Sequence, residues 1–189
     1  MVSKGLHFDN VNVVGIINAD NMLNFPDFRA FERSYQLMAQ VSGRAGRKHK
    51  RGKVIIQSSD PENPVILDVV DNDYVRFYNQ QLKERKEYKY PPFYRIIIIT
   101  LKSKNLQILN DAAMQFAINL QKQLGKKIYG PHLPLVSKIQ NFHLKNILIK
   151  IEKGLSVSHI KDIIRKESGK VLADEKFKSV LLFYDVDPL

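Results

Sequence analysis

The stretch Tyr90-Pro91-Pro92-Phe93-Tyr94-Arg95-Ile96-Ile97-Ile98-Ile99-Thr100-Leu101 divides the sequence into two patterns. Two successive prolines stop a helix and stiffen the chain. The apolar, β-branched run from Tyr94 to Leu101 then reads as a strand. Downstream, Leu106 to Leu124 has helical periodicity and stops at Gly125. Residues 128–139 are interrupted by Gly130, Pro131 and Pro134, so they predict an irregular strand or a strand pair. Leu144 to Ile151 reads as a strand, Val157 to Lys166 as a helix and Val180 to Val186 as a final strand.

That order is β-α-β-β-α-β, the ferredoxin-like α+β arrangement, with two helices on one face of a four-stranded antiparallel sheet. The prolines set the boundary, giving units 1–92 and 93–189. Upstream of them the pattern is α/β. Val11 to Asn18 reads as a buried strand that lacks neighbours in residues 1–10, which suggests a piece of a larger fold. Asp27 is the expected N-cap of a helix carrying Phe28, Phe31, Tyr35, Met38 and Val41, with Gly43 and Gly46 ending it. A strand at Lys53 to Gln57, a turn at Pro61 to Pro64 and a short helix at Val65 to Val70 follow. A helix from Asp73 to Tyr88, charged over Lys83 to Glu87, is expected to bridge the two units.

The 189 residues are 44% hydrophobic and 26% charged, a globular profile with room for one or two domains. No apolar run approaches the ~20 residues that span a bilayer. The N-terminus has no apolar signal segment, so a cytoplasmic protein without a membrane partner is expected. With no cysteine, disulfides and zinc–thiolate sites are excluded from the chain. The net charge is +11, and it is uneven: residues 93–189 hold 16 Lys+Arg against 8 Asp+Glu, residues 1–92 14 against 11. Such a balance favours a polyanion, nucleic acid first. A solvated surface without a partner is the alternative.

Gln40-Val41-Ser42-Gly43-Arg44-Ala45-Gly46-Arg47 is the stretch most specific to a chemistry. Phosphoryl transfer spreads negative charge over γ-phosphate oxygens, and a fixed guanidinium stabilises it. Arg is always charged and offers a planar fork of donors. A basic helix end that complements the helix dipole is the bland alternative. Upstream stands Lys4-Gly5-Leu6-His7-Phe8-Asp9-Asn10-Val11.

The two segments resemble motifs V and VI of superfamily 2 helicases in order and spacing. The wording of Asp27-Phe28-Arg29-Ala30-Phe31-Glu32-Arg33 and of Gln40 to Arg47 is similar to the primosomal protein N′ (PriA) family of replication-restart DNA helicases. Tyr90-Pro91-Pro92-Phe93 and Asp185-Val186-Asp187-Pro188 match it as well. The resemblance implies a C-terminal part of a 3′-to-5′ helicase acting at stalled forks. It makes residues 1–92 the end of a second RecA-like lobe. It makes residues 93–189 a DNA-binding domain whose fold resembles a small-subunit ribosomal protein. Gln40, Arg44 and Arg47 would face ATP held on the other lobe, with both arginines as finger candidates. Gly5, His7 and Asp9 would lie on the motif coupling nucleotide to DNA, with Lys4 on the DNA side. His7 departs from the Asp that many members carry. The implied partners are forked and single-stranded DNA, the single-stranded-DNA-binding protein and other primosome proteins. The implied cofactors are ATP and Mg²⁺, with the family's zinc bound outside this chain. The sequence lacks a GxxxxGK[ST] loop and a DExH box, so the chain alone is expected not to hydrolyse ATP.

Weaker signals remain. Lys48, Lys50 and Arg51 form a basic run that could contact DNA phosphates or be a solvated loop. Lys138, Phe142, His143, Lys145 and Lys150 mix phosphate-binding and base-stacking types, which suits single strands or forks; Phe142 reads equally as a core or loop residue. The five histidines show no metal spacing. Asp9, Asp20 and Asp27 are candidate caps, and Asp185 and Asp187 candidate partners for Arg or Lys. Two rival readings are an RNA-binding ferredoxin-like module and a docking module for an acidic tail. The first lacks the expected RNP aromatic run.

Overall fold

The computed structural model describes residues 12–43, 45 and 52–188. The chain divides into two compact units, 1–84 and 85–189. The division falls inside a helix, where the charged bridging segment was expected.

In the first unit, β1 (Val13–Ile16) pairs in parallel with β2 (Lys53–Ile56), from Val13 opposite Lys53 to Ile16 opposite Ile56. A parallel pair needs a crossover, and α1 (Asp20–Leu23) and α2 (Ala30–Ser42) supply it. α3 (Pro64–Val70) and α4 (Tyr74–Glu87) follow. Ile16, Leu23, Tyr35, Met38, Val65, Ile66 and Phe77 form the core. The Tyr35 and Phe77 rings stack there at 4.4 Å between centroids. Asn63 caps α3 by accepting from Val65 N, with Pro64 in the first turn, where no donor is lost.

Several expectations need correction. β1 is shorter than Val11 to Asn18, and of its residues only Ile16 is buried. Val13 is 55% and Ile17 81% exposed, because β2 is its sole neighbour among the described residues. Asp27 does not cap a helix. Its carboxylate accepts from Arg29 N at 2.9 Å and its carbonyl accepts from Ala30 N, forming a turn that delays α2 to Ala30. Phe28 therefore precedes the helix. Asp20 sits in α1, where no helix was expected. Its carboxylate accepts from Ser58 Oγ and Ser59 N, tying α1 to the end of β2, and these bonds hold it below the ordinary carboxyl range.

In the second unit, β3 (Tyr94–Ser103), β4 (Ile128–His132), β6 (Phe142–Glu152) and β7 (Leu181–Val186) form an antiparallel sheet in the order β7-β3-β6-β4. The short β5 (Lys138–Ile139) pairs with β6 beyond that path. The expected strand pair over 128–139 is thus β4 and β5. Ile97, Ile99 and Leu101 of β3 alternate with outward residues and pack with Ile147, Ile149 and Ile151 of β6. Against that face lie α5 (Leu106–Leu124), through Leu109, Phe116 and Leu120, and α6 (Val157–Ala173), through Ile160, Ile164 and Val171.

Asn105 caps α5 by accepting from Gln107 N and Ile108 N, and Ser156 caps α6 by accepting from His159 N. α6 extends past Lys166 to Ala173, with Ser168 donating its hydroxyl to Arg165 O within the helix and Val171 reaching the core. β6 starts at Phe142, two residues before the expected strand, so Phe142 is a strand residue rather than a loop residue.

Candidate nucleic-acid interface

The register sorts the sheet's side chains into two faces. On β3 and β6 the pairs Ile97–Ile149 and Ile99–Ile147 face the helices. The alternate pairs Ile98–Leu148, Thr100–Asn146 and Lys102–Leu144 face away. Extending them through β7 and β4 gives three rows on the uncovered face. The first is Asp185, Ile98, Leu148, Tyr129; the second Phe183, Thr100, Asn146, His132; the third Leu181, Lys102, Leu144. Phe183 is 53%, Leu181 45% and Tyr129 37% exposed. Thr100 Oγ1 lies 3.0 Å from Asn146 Oδ1, a cross-strand hydrogen bond in the middle of the face.

β4 reaches its place through a shift in register between Tyr129 and His132. Gly130 makes the shift possible. Its φ is 104°, and a Cβ there would stand 2.9 Å from Asn146 O and from His132 Nδ1. Burial lowers the His132 pKa, which favours the neutral ring.

Cations gather at both ends of this face. Lys102 Nζ and Lys104 Nζ stand 4.3 and 5.4 Å from the centre of the Phe142 ring. At the other end Lys150, 8% exposed, donates to Tyr88 O at 2.6 Å and lies 3.6 Å from the centre of the Tyr90 ring. Burial, and then the nearby Lys89 charge, lower its pKa. Lys150 therefore fastens the segment after α4 to the sheet and is not offered to solvent. At the far end of β7, Asp187 accepts from Arg95 Nε at 2.9 Å and from Ile96 N at 3.2 Å. This is the Arg pairing expected of the Asp185–Asp187 stretch, made by Asp187.

The residues singled out in the sequence are distributed unevenly. Phe142 shares the open face with Lys102. Lys145 pairs with Leu101 and Lys138 with His143, so the register puts both on the opposite face. Gln40 is exposed in the last turn of α2. Lys4, Gly5, His7, Asp9, Arg44, Arg47, Lys48, Lys50 and Arg51 lie outside the described residues. Sequence reasoning missed Lys102, Tyr129 and Phe183. The signal for Lys102 was present, since it follows the buried Leu101 at the polar phase of an alternating strand. Among the described residues no group of three or more His, Cys, Asp or Glu is placed to hold a metal, and no helix is long and apolar enough to cross a membrane.

Fold and charge define a basic, two-unit α/β chain whose antiparallel sheet has helices packed on one face. A family model described as the primosomal protein N C-terminal domain matches residues 86–189, and the chain belongs to that family. It is similar to the replication restart protein PriA of Bacillus subtilis, 33% identical over 190 residues, which covers 100% of this chain and 23% of the relative. The corresponding protein of Synechocystis is 35% identical over 191 residues, covering 100% and 22%. That of Treponema pallidum is 38% identical over 152 residues, covering 79% and 23%. The chain thus spans about a quarter of the length of these relatives.

Proposed function

We propose that the chain is the C-terminal part of an ATP-dependent 3′-to-5′ DNA helicase that recognises stalled or abandoned replication forks and restarts replication by primosome assembly. The observation that carries this reading is the similarity to replication restart proteins along the whole chain. Residues 1–92 are read as the end of a second RecA-like lobe, a reading supported by the parallel β1–β2 pair and its helical crossover. Residues 93–189 are read as a ferredoxin-like DNA-binding domain. The strand order β7-β3-β6-β4, with α5 and α6 on one face, supports it, as does the excess of 16 Lys+Arg over 8 Asp+Glu.

In this reading Gln40, Arg44 and Arg47 act on ATP and Mg²⁺ held by another part of the complete protein. The exposed Gln40 side chain is compatible with such an approach. Gly5, His7 and Asp9 couple that site to DNA contacted by Lys4, Lys48, Lys50 and Arg51. The residues present do not fit a zinc–thiolate centre, because the chain has no cysteine. The single-stranded-DNA-binding protein and primosome proteins are its proposed protein partners.

The test is fluorescence anisotropy of the chain with forked, single-stranded and duplex DNA across a salt series. Binding that favours the fork and falls linearly with log salt is expected. No binding at low salt would move the DNA contacts out of this chain.

A further inference from the structure

We propose that the uncovered face of the antiparallel sheet is a stacking platform for the bases of single-stranded DNA. The inference rests on the reading of residues 93–189 as a DNA-binding unit and assigns the surface and the ligand. A four-stranded antiparallel sheet covered by helices on one side can stack bases on rings of the other. Here the helices take the face of Ile97, Ile99, Ile147 and Ile149, and the opposite face keeps exposed rings on both outer strands. Phe183 stands on β7 and Tyr129 on β4, with Ile98 and Leu148 between them in the Tyr129 row.

The centre of the face is polar. The Thr100 hydroxyl occupies the Asn146 carbonyl oxygen, which leaves the Asn146 amide N–H groups for the edge of a base. A surface built to dock an apolar protein segment would place its most apolar residues there, as interface cores do. The charges also set a direction. Asp185 lies in the Ile98 row and disfavours phosphate, whereas Lys102 lies four residues along β3 with Lys104 beside it. The sugar–phosphate backbone would therefore follow the Lys102 row, with bases turned inward over Phe183 and the Thr100–Asn146 pair. Stacking of this kind tolerates any sequence, because every base has a π face.

The experiment compares the chain with its Phe183→Ala and Phe183→Tyr variants in anisotropy titrations at one ionic strength. The probes are a labelled oligothymidylate and an abasic oligonucleotide of the same length. Phe183 is exposed, so its loss leaves the core intact, and thermal melting verifies this. Phe183→Ala should weaken oligothymidylate binding by about 5- to 150-fold, the equivalent of one base–aromatic stack. It should leave the weaker abasic binding unchanged, and Phe183→Tyr should restore affinity. Tyr129→Ala should act in the same sense. Equal binding of both oligonucleotides, untouched by Phe183→Ala, would overturn the stacking platform while the DNA-binding reading stands. Binding of neither would overturn both. Binding of an acidic peptide in place of either, sensitive to Phe183→Ala, would reassign the face to protein docking and also overturn the proposal.

Discussion

Replacing Asp187 separates three contributions that meet at one residue. Asp187 follows β7 with φ at 52°, in the left-handed region that Asp and Asn enter more readily than other side chains. Its carboxylate accepts from Ile96 N, its own N–H donates to Ile96 O at 2.8 Å, and Arg95 pairs with it from the neighbouring strand. Asp187→Ala removes the acceptor for Ile96 N, about 1 kcal/mol. It also forces alanine into the left-handed region, a further 1–2 kcal/mol or so. The Arg95 pairing is open to water and screened, so it is the smallest contribution. The sum is about 2–3 kcal/mol, on the order of 5–10 °C in melting midpoint for a chain of this size. Asp187→Asn keeps a side-chain oxygen for Ile96 N and tolerates the same φ, so it should cost less than about 1 kcal/mol. Asp187→Gly relieves the backbone but not the hydrogen bond and should fall between them. Thermal melts of the three variants, followed by circular dichroism, decide the matter. An Asn variant as damaged as the Ala variant would mean that charge, not geometry, holds this corner, and the reasoning would fail.

Two further outcomes are expected. Arg95 beside Asp187, Lys176 beside Asp111 and Ser58 beside Asp20 hold these carboxyls below the ordinary aspartate range. The folded carboxylates bind protons less readily than the unfolded ones, so their stabilisation is complete above that range and is lost as pH falls through the depressed values. Denaturant midpoints measured from neutral pH down to acid should fall only at the acid end, and less so in Asp187→Asn; a midpoint flat with pH would contradict the assignment. In the complete protein, Arg44→Ala should lower ATP turnover by about three to five decades, the range for an arginine finger, with DNA affinity nearly unchanged. Steady-state ATPase and anisotropy on the same preparation check this, and a parallel loss of binding would remove Arg44 from the finger role.

What the sequence made legible follows from the physics of each element. α5 was readable end to end, Leu106 to Leu124, because one helix carries its own period and its Gly125 stop. The apolar run of β1 records that a strand belongs in a core but not which neighbours cover it, and the described residues bury only its Ile16. Asp27 was misplaced as a cap because the same carboxylate can accept from a helix N-terminus or from a turn two residues on, and only the path of the chain decides. The site was less legible than the fold for a related reason. Phe142, Lys138 and Lys145 are neighbours in sequence, so composition grouped them, but in a strand one residue of offset reverses the face. Phe142 consequently keeps company with Lys102, 40 positions away along the chain, and not with Lys145. A stacking surface is a property of register across four strands, and register is fixed only when β4, β6, β3 and β7 are paired. This is why Tyr129 and Phe183, unremarked in their local sequence, stand at the two edges of the face that matters most for the proposed ligand.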